Sequence, residues 1–415
     1  MKITLQNLIN RYYFDMKSVL ITALALFTVI TTNAQNDDIY VAGDVGKIGK
    51  IWKNNVELYS AENEEYSVGF DCIYVAGDDI YTGGTYSKNT VYFPVVYKNG
   101  QLLHRLSTEE QGYANSVAIS KNSVYTCGSI GYDAVVWKDD KVLDTLGRGG
   151  YNSGGSTTRY IYANSIQIVG NDIYVAGYTS AGIGRIWKNG AELYSIEESG
   201  IKYTLEGIAV SGNDIYAVGY SDNNMGIVWK NGTELYSEPG RFFAMCVSDN
   251  NIYVTGYTLV GSGKSAKVWK NGELLYQLTD GTNDTRGRDI CVIDNDVYVL
   301  TRKFASTSQD IVWKNGVQFY DMESQHAEAI CFPSSNINSI TNVEKSNFQI
   351  YPNPAKNELF IDGEIYNSNI EIYNIKGEKI LTDKLTESKS INISSLPIGI
   401  YVLKIGNHYE KFIKE

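Results

Sequence analysis

A unit rich in tyrosine and glycine recurs along most of this 415-residue chain and constrains its fold more than any other feature. Two markers define it, the tyrosine of an Asp-Ile-Tyr-like element and the aromatic residue before Lys-Asn-Gly, and each returns seven times. Successive tyrosines are 37 to 49 residues apart, a period typical of solenoids, propellers and arrays. These tyrosines are Tyr40, Tyr81, Tyr125, Tyr174, Tyr216, Tyr253 and Tyr298.

Each unit contains four short β-prone segments joined by polar turns. Between Asn164 and Ile196 these segments are NSIQIVG, DIYVAGY, GRIWKNG and AELYSI. Pairs such as Asn231-Gly232 predict two-residue hairpins, since both residues readily adopt the positive φ of a type I′ turn. Runs of adjacent apolar residues, such as Ile227 to Trp229, predict strands that are covered on both faces. The pattern indicates an all-β, seven-bladed β-propeller, in which every sheet packs between two others.

The two ends of the repeat region predict how the propeller closes. The first unit starts at its second strand, just after Gln35, and the missing strand stands at the other end in HAEAICFPSS from His326. A last strand that completes the first sheet removes open edges. We therefore predict that His326 to Phe332 pairs with Asp38 to Gly43, so that residues 35–334 form a closed propeller.

The charge of the chain disfavours two classes of partner. The formal net charge is −11 and the pI is near 5.0, whereas binding to nucleic acid or to anionic membranes requires a basic surface. The 39 glycines and 33 tyrosines fit many strands and tight turns. We expect no nucleic-acid partner, and we expect a monomer.

The N-terminal segment predicts export. The segment from Met16 reads MKSVLITALALFTVITTNAQ. It begins with a charged residue, continues with an apolar stretch and ends in small residues, as in a secretory signal peptide within residues 1–34. Its apolar stretch is short for a membrane span, so the mature chain is expected to have no transmembrane segment. We expect cleavage between Ala34 and Gln35 and, because Met1 to Asp15 is polar and long, a true translation start at Met16.

Five cysteines remain after the predicted cleavage site, and an odd number cannot pair fully within one molecule. Three of them, Cys246, Cys291 and Cys331, occupy the same place in successive repeats, inside apolar segments. The favoured interpretation is that they are small buried thiols; disulfides or reactive sites are the alternative.

The composition changes after a polar linker at residues 335–347. Residues 348–415 contain alternating segments separated by turns, which predicts a small β-sandwich. They also resemble the type A sorting domain of the type IX secretion system of Bacteroidota. The matching residues are Tyr351, Pro352, Asn353 and Pro354, then Ile372 to Gly377, Gly399, Ile400 and Tyr401, and Lys411 to Ile413.

This resemblance implies a destination and two partners. The type IX machinery would carry the chain across the outer membrane, and its sorting peptidase would remove the domain. The product would be released or attached to surface lipopolysaccharide. The expected location is therefore the medium or the outer-membrane surface.

One position of the repeat is the main candidate for ligand binding. The two turns inside each unit are nearly constant, whereas the other connections vary, and alternating strand direction places the variable loops on one face. Two residues before the first-strand isoleucine, near the expected mouth of the central channel on that face, the side chains are mostly polar. They are Asp71, Asn115, Asn164, Glu206, Phe243, Arg288 and Glu328. This series predicts a ring that binds a cation or sugar hydroxyls; a solvated channel lining is the alternative.

Two further groups are weaker candidates. Tyr178, Tyr220 and Tyr257 each follow the glycine near the end of a second strand, where they would either stack on sugars or pack against the next blade. Asp280, Asn283 and Asp284 offer oxygen ligands for Ca²⁺, but they lack the ordered spacing of a calcium loop. We predict no cofactor and keep calcium as an alternative.

Recognisable catalytic signatures are missing from the sequence. His104, His326 and His408 form no metal-spaced cluster, and no glycine loop for phosphate occurs. The main hypothesis is a non-enzymatic propeller, secreted or at the surface, that binds a glycan, a peptide or a protein. The alternative is a carbohydrate-active hydrolase or lyase that uses Glu206 and Glu328 as acid and base. A purely structural surface protein is a third hypothesis.

Overall fold

The structure, a computed structural model, describes most of the chain and forms two compact units. The described residues are 38–61, 66–151, 158–304, 308–322, 325–333, 348–363, 369–374, 379–384, 389–405 and 408–415. They contain strands and turns and no helix. The first unit holds the strands from Tyr40 to Cys331 and the second the strands from Phe348 to Lys414.

The first unit is built from four-stranded antiparallel sheets, which we number in chain order. Sheet 1 begins with β1 (Tyr40–Val45), β2 (Ile48–Lys53) and β3 (Val56–Ala61). Sheet 2 contains β4 (Ser67–Ala76), β5 (Asp79–Lys88), β6 (Val91–Lys98) and β7 (Gln101–Arg105). Sheet 3 contains β8 (Gly112–Ser120), β9 (Ser123–Ile130), β10 (Asp133–Lys138) and β11 (Lys141–Gly147), and a two-stranded sheet of β12 (Gly150–Tyr151) and β13 (Thr158–Arg159) follows it.

The next sheets repeat this order. Sheet 4 contains β14 (Ile161–Val169), β15 (Asp172–Thr179), β16 (Gly184–Lys188) and β17 (Ala191–Ile196). Sheet 5 contains β18 (Tyr203–Ser211), β19 (Asp214–Ser221), β20 (Met225–Lys230) and β21 (Thr233–Pro239). Sheet 6 contains β22 (Arg241–Ser248), β23 (Asn251–Val260), β24 (Gly263–Lys270) and β25 (Glu273–Gln277). Sheet 7 contains β26 (Asp284–Ile293), β27 (Asp296–Phe304), β28 (Gln309–Lys314) and β29 (Val317–Asp321), and one parallel bridge from Lys264 to Asp284 joins it to sheet 6.

The strand missing from sheet 1 comes from the far end of the unit. β30 (His326–Cys331) pairs antiparallel with β1, with Tyr40 opposite Cys331 and Asp44 opposite His326. The order of sheet 1 is therefore β3, β2, β1, β30. This confirms the predicted pairing between the two ends of the repeat region.

The repeated Asp-Ile-Tyr and Lys-Asn-Gly elements meet at one turn of each sheet, as in sheet 5. Asn231 and Gly232 have φ values of 52° and 79°, so the predicted hairpin turn is confirmed. The Asn231 Oδ1 atom accepts a hydrogen bond of 2.9 Å from the backbone N–H of Ile215, and its Nδ2 atom donates to Asp214 at 3.0 Å. Lys230 Nζ lies 2.8 Å from Asp214. These polar residues recur because their hydrogen bonds and ion pair connect the hairpin to the preceding turn.

Buried apolar clusters connect six of the seven pairs of neighbouring sheets, and a hydrogen bond connects the seventh pair. Trp52 of sheet 1 packs in one cluster with Leu300 and Val312 of sheet 7, and similar clusters join sheets 1 and 2, 2 and 3, 3 and 4, 5 and 6, and 6 and 7. Between sheets 4 and 5 the backbone N–H of Val210 donates to Gln167 Oε1 at 2.6 Å. Burial of each large aromatic side chain contributes about 2 to 3 kcal/mol. The contacts pass through all seven sheets and return to the first.

The five cysteines are free thiols, as the favoured interpretation predicted. Cys72, Cys127 and Cys291 are buried, and Cys246 and Cys331 are partly buried. Burial raises the pKa of all five thiols, so they remain protonated at neutral pH.

The second unit consists of two sheets around one core. The first contains β31 (Phe348–Tyr351), β32 (Glu358–Gly363) and β35 (Ser390–Asn392). The second contains β34 (Lys379–Lys384), β33 (Asn369–Asn374), β36 (Gly399–Ile405) and β37 (His408–Lys414) in that order. Leu359, Ile372, Leu403 and Phe412 from both sheets lie completely buried in the shared core. The predicted signal peptide with Ala34 and Gln35, the linker after residue 334, and Gly377 lie outside the described residues.

Candidate functional site

The predicted ligand-binding positions coincide with a β-bulge in the first strand of the sheets. In sheet 5, Leu205 pairs with Gly219 and Gly207 pairs with Val218, so Glu206 is the extra residue that has no partner in the ladder. The same register shift occurs at Asp71, Asn115, Phe243, Arg288 and Glu328. A bulge turns its extra side chain away from the regular alternation of the strand. We call these positions, with Asn164, the bulge residues.

The bulge explains a repeated glycine in the neighbouring strand. A Cβ atom on Gly219 would lie 1.9 Å from the carbonyl oxygen of Thr204, a distance that no side chain tolerates. At the equivalent glycine of five other sheets, a Cβ atom would likewise lie 1.8 to 2.0 Å from a carbonyl oxygen of the first strand. They are Gly43, Gly84, Gly128, Gly177 and Gly256. The glycine of the DIYVAGY segment therefore allows this close approach in six sheets, Gly177 marks it beside Asn164, and Thr301 stands at the equivalent position in sheet 7.

Two bulge residues connect successive sheets. Asn115 Nδ2 donates to the carbonyl oxygen of Ala163 at 2.9 Å, and Asn164 Nδ2 donates to that of Leu205 at the same distance. Asn164 Nδ2 also lies 3.1 Å from Glu206 Oε2. Each acceptor carbonyl belongs to the residue before the next bulge residue. These amides therefore have a structural role. Their Nδ2 groups already donate hydrogen bonds within the protein before any ligand binds.

Arg288 interacts with three other charged bulge residues. Its guanidinium forms an ion pair with Glu328 and also interacts electrostatically with Asp71 and Glu206. Burial would raise the pKa of Glu328, but Arg288 and Arg302 hold it below its ordinary value. We call these four electrostatically coupled residues, three carboxyl groups and one guanidinium, the cluster; within it, Arg288 and Glu328 are at ion-pair distance.

Asp71 has the most strongly shifted carboxyl group of this cluster. Its side chain is accessible to solvent, yet protein surrounds it on most sides. This loss of bulk water, together with the Glu328 and Asp44 carboxylates, raises the pKa of Asp71 to about 7, against the effect of Arg288. Asp71 therefore changes charge near neutral pH.

Glu206 is half-buried, and its pKa is shifted in the same direction as that of Asp71. Loss of water raises the pKa of Glu206 above its ordinary value, although Arg288 and hydrogen bonds from Tyr220 and Asn164 act against the shift. Glu206 and Glu328, the acid and base of the alternative hypothesis, therefore have pKa values shifted in opposite directions.

The three candidate tyrosines lie against protein side chains. Tyr178 stacks on Tyr162 with ring centroids 4.7 Å apart, and burial raises its pKa. Tyr220 faces Arg241, whose Cζ atom lies 4.4 Å from the ring centroid. Tyr257 is 4% exposed. These contacts favour the packing interpretation over stacking on sugars, most clearly for Tyr257.

The calcium candidates have protein partners of their own. Asp280 Oδ1 accepts hydrogen bonds from the backbone N–H and the hydroxyl of Thr282 at 2.9 and 2.7 Å. Asp284 contacts Lys264 Nζ at 2.5 Å and Arg286 Nε at 3.0 Å. In the described parts of the chain, no group of three or more His, Cys, Asp or Glu side chains is arranged to hold a metal ion.

Sequence reasoning missed a buried charged pair beside the cluster. Arg302 stands where Tyr178 and Tyr220 stand in sheets 4 and 5, and it is 4% exposed. It donates to Asp310 at 2.9 and 3.1 Å and to Glu328 Oε1 at 2.8 Å. The sequence does contain a sign of this pair: the seventh unit has Thr301-Arg302 where the fourth to sixth units have Gly-Tyr.

The second unit brings together the separated pieces of the sorting motif. Asn353 Nδ2 donates to the carbonyl oxygen of Lys411 at 3.0 Å, and the backbone N–H of Ile413 donates to Asn353 Oδ1 at 2.9 Å. Tyr401 stacks on Phe412, with ring centroids 5.6 Å apart. Residues 349–415 match the family described as secretion system C-terminal sorting domain. The chain therefore carries a type IX sorting domain, which implies export to the medium or the cell surface and contact with the secretion machinery.

Other comparisons give distant similarities. No curated protein sequence matches the chain. One similar solved structure is described as PorZ, an essential bacterial surface component of the type-IX secretion system of Porphyromonas gingivalis; the identity is 10% and the TM-score 0.39. The match covers 83% of this chain and 59% of that one. A chain of the mitotic checkpoint complex matches with 8% identity and a TM-score of 0.39, over 61% of this chain and 76% of that one.

Within the described residues, no helical segment has the length and hydropathy that a membrane span requires.

Proposed function

We propose that the first unit is a seven-bladed β-propeller and that it binds an extracellular ligand as a secreted or surface-displayed module. In the described residues of the first unit, five four-stranded sheets and one eight-stranded sheet, in which one parallel bridge joins sheets 6 and 7, give seven groups of four strands. These groups, with contacts that return from sheet 7 to sheet 1, support the propeller. The sorting domain supports the destination. The ligand is a glycan, a peptide or a protein.

The observation that carries the binding proposal is the contrast between constant and variable positions of the repeat. The bulge and its opposing glycine recur, yet the bulge side chain changes from carboxylate to amide, phenyl and guanidinium. A rigid scaffold that presents different side chains toward one centre is the usual construction of a binding site.

Binding measurements on the mature protein test this proposal. Glycan and peptide arrays would identify a ligand, and the affinity would then be compared between the wild type and an Arg288→Ala variant. Loss of the guanidinium from the centre of the cluster should weaken binding by at least about tenfold. Glu273→Ala, at an exposed residue beside a constant hairpin turn, serves as the control. Equal affinity of Arg288→Ala and the wild type would contradict the proposal.

A carbohydrate-active hydrolase or lyase is the second candidate. One observation favours it: the pKa of Glu206 is raised while that of Glu328 is lowered. A carboxyl group with a raised pKa that works together with an ionised carboxylate is the arrangement of many glycosidases. The two arginines already paired with Glu328 act against a role as base.

Processing follows from the sorting resemblance. We propose that a sorting peptidase removes the second unit after export and that the first unit is then released or attached to lipopolysaccharide. Mass spectrometry of the extracellular protein tests this proposal: it should show the loss of residues from about 348 onward, and an intact C-terminus would contradict it.

A further inference from the structure

One tryptophan differs from the others in its exposure. All six tryptophans lie within the described residues, and five of them are at most 3% exposed. Trp313 of sheet 7 is only partly buried and forms part of the wall of an open cleft. A tryptophan with free indole surface in a cleft offers a large apolar platform for a ligand.

The first strand of sheet 7 lacks two aromatic residues, one of which occurs in sheet 5 and the other in sheet 6. In sheet 5, Tyr203 packs edge-on against Trp229, with ring centroids 5.8 Å apart. In sheet 6, the Phe242 ring lies 4.7 Å from Trp269. The strand registers place Thr285 at the position of Tyr203 and Gly287 at the position of Phe242. Thr285 and Gly287 therefore give Trp313 no aromatic neighbour of this kind.

The orientation of Trp313 is fixed before any ligand binds. Its Nε1 atom donates a hydrogen bond of 2.8 Å to Thr301 Oγ1, and Thr301 is completely buried. A side chain held in place loses little conformational entropy when a ligand stacks on it. The polar edge of the indole is directed into the protein, so the exposed part is mainly apolar.

The cleft has a volume of about 390 Å³, within the range of small-molecule sites. Polar side chains line the walls around the indole: Thr279, Asp280, Asn283, Lys303 and Gln309. Asp280 and Asn283 are exposed, and Lys303 and Gln309 are partly buried. The walls thus supply amide, carboxylate, hydroxyl and ammonium groups, which together both donate and accept hydrogen bonds.

We propose that this cleft binds a pyranose residue of a glycan. A pyranose ring has an apolar C–H face, which suits the Trp313 indole, and hydroxyls along its edge, which suit the amides of Asn283 and Gln309. The connection that follows β25 and residues of β26, β27 and β28 line the cleft. It shares no residue with the bulge residues, so it stands as a separate site.

Iodide quenching of tryptophan fluorescence tests the proposal without any mutation. In the mature full-length protein, iodide should quench mainly Trp313, because the other five indoles are buried. The probes are maltohexaose, xylohexaose, chitohexaose and oligogalacturonate. At least one of them should reduce the quenching in a saturable manner. If none of the four protects the indole, the proposal is overturned.

Two variants locate the binding. Trp313→Ala removes the platform, and Thr285→Tyr refills the cleft with the side chain that sheet 5 uses. Each should weaken binding of the protecting sugar by at least about tenfold in calorimetry. Leu274→Ala, at a residue that is 53% exposed, is the control and should bind as the wild type does.

Unchanged affinity in a folded Trp313→Ala variant would overturn the proposal, and if that variant does not fold, Thr285→Tyr decides. The bulge residues stay intact in both variants. Binding that depends on Arg288 therefore remains measurable, and failure of the cleft can be distinguished from failure of the proposed function.

Discussion

Arg302 and Asp310 form a fully desolvated ion pair at the junction of sheets 7 and 1, with distances of 2.9 Å from Nε to Oδ1 and 3.1 Å from Nη2 to Oδ2. Both groups also hold the closing strand β30. Arg302 Nη2 donates to the carbonyl oxygen of Ala327 at 2.6 Å, and the backbone N–H of Ala327 donates to Asp310 Oδ2 at 2.6 Å. The pair thus fastens the last strand to the seventh sheet.

Removal of one partner of this pair should destabilise the first unit strongly. In Arg302→Met, the Asp310 carboxylate remains buried without its counter-charge, and we expect the free energy of unfolding to fall by about 3 to 5 kcal/mol. Urea denaturation followed by fluorescence measures the change. Lys98→Met, which breaks an exposed pair with Asp79, is the control and should change the midpoint little. A similar midpoint for both variants would show that the closing strand does not depend on Arg302.

The glycine opposite the bulge should tolerate no side chain. Gly219→Ala places a Cβ atom 1.9 Å from the Thr204 carbonyl oxygen, so the two strands must separate, and we expect a loss of about 1 to 3 kcal/mol or more. Gly69→Ala is a matched strand control, because the nearest atom to its Cβ would be 3.9 Å away. Thermal unfolding of both variants gives the comparison. Equal stability would remove the proposed reason for the repeated glycine.

The raised pKa of Asp71 predicts a pH dependence of stability. Its value is about 7 in the folded protein against 3.8 ordinarily, so the unfolded chain releases the proton first as the pH rises. The free energy of unfolding of the wild type, relative to that of Asp71→Asn, should therefore fall as the pH rises from 3.8 to about 7. Above this range the difference should stay constant.

Denaturant titrations across this pH range measure the difference. Asp79→Asn provides a control of opposite sign. A hydrogen bond from Lys98 lowers the pKa of Asp79, so the wild type should lose stability relative to this variant as the pH falls. If the difference in stability between the wild type and Asp71→Asn does not change with pH, the raised pKa of Asp71 is refuted.

Turnover assays separate the two candidate functions. The binding proposal predicts saturable binding of a polysaccharide or peptide without any product. If product forms, Glu206→Gln and Glu328→Gln should each reduce the rate by about a hundredfold or more, since general acid–base catalysis contributes on this scale. Reducing-sugar release from a polysaccharide panel is the measurement. Activity that disappears in both variants would establish the hydrolase or lyase instead.

Deletion of residues 348–415 should prevent export. Because the sorting domain is the part of the chain that the secretion machinery recognises, we expect the shortened protein to accumulate in the periplasm. Cell fractionation and immunoblotting of the medium, surface and periplasm measure its location. The shortened protein should keep its cooperative unfolding, which would show that the defect lies in transport. Normal appearance outside the cell would contradict the assignment.

The local structure of the repeat could be predicted from the sequence. Asn231-Gly232 indicated its hairpin because Asn and Gly adopt positive φ more readily than most residues. The incomplete first unit and the matching segment at His326 indicated that β30 pairs with β1. The pieces of the sorting motif were recognised because they occur in a fixed order. Each of these predictions depends on a few neighbouring residues or on a pattern repeated seven times.

Only the tertiary structure decided which side chains meet. The sequence identified Asp71, Glu206, Arg288 and Glu328 as equivalent positions, but the bulge and the cluster around Arg288 depend on strand register and on distances between sheets. The exposure of Trp313 likewise depends on the side chains that surround it in the folded unit. Turn type and strand alternation are local properties of the chain, whereas burial, pKa and open clefts arise from contacts between residues that are far apart in sequence.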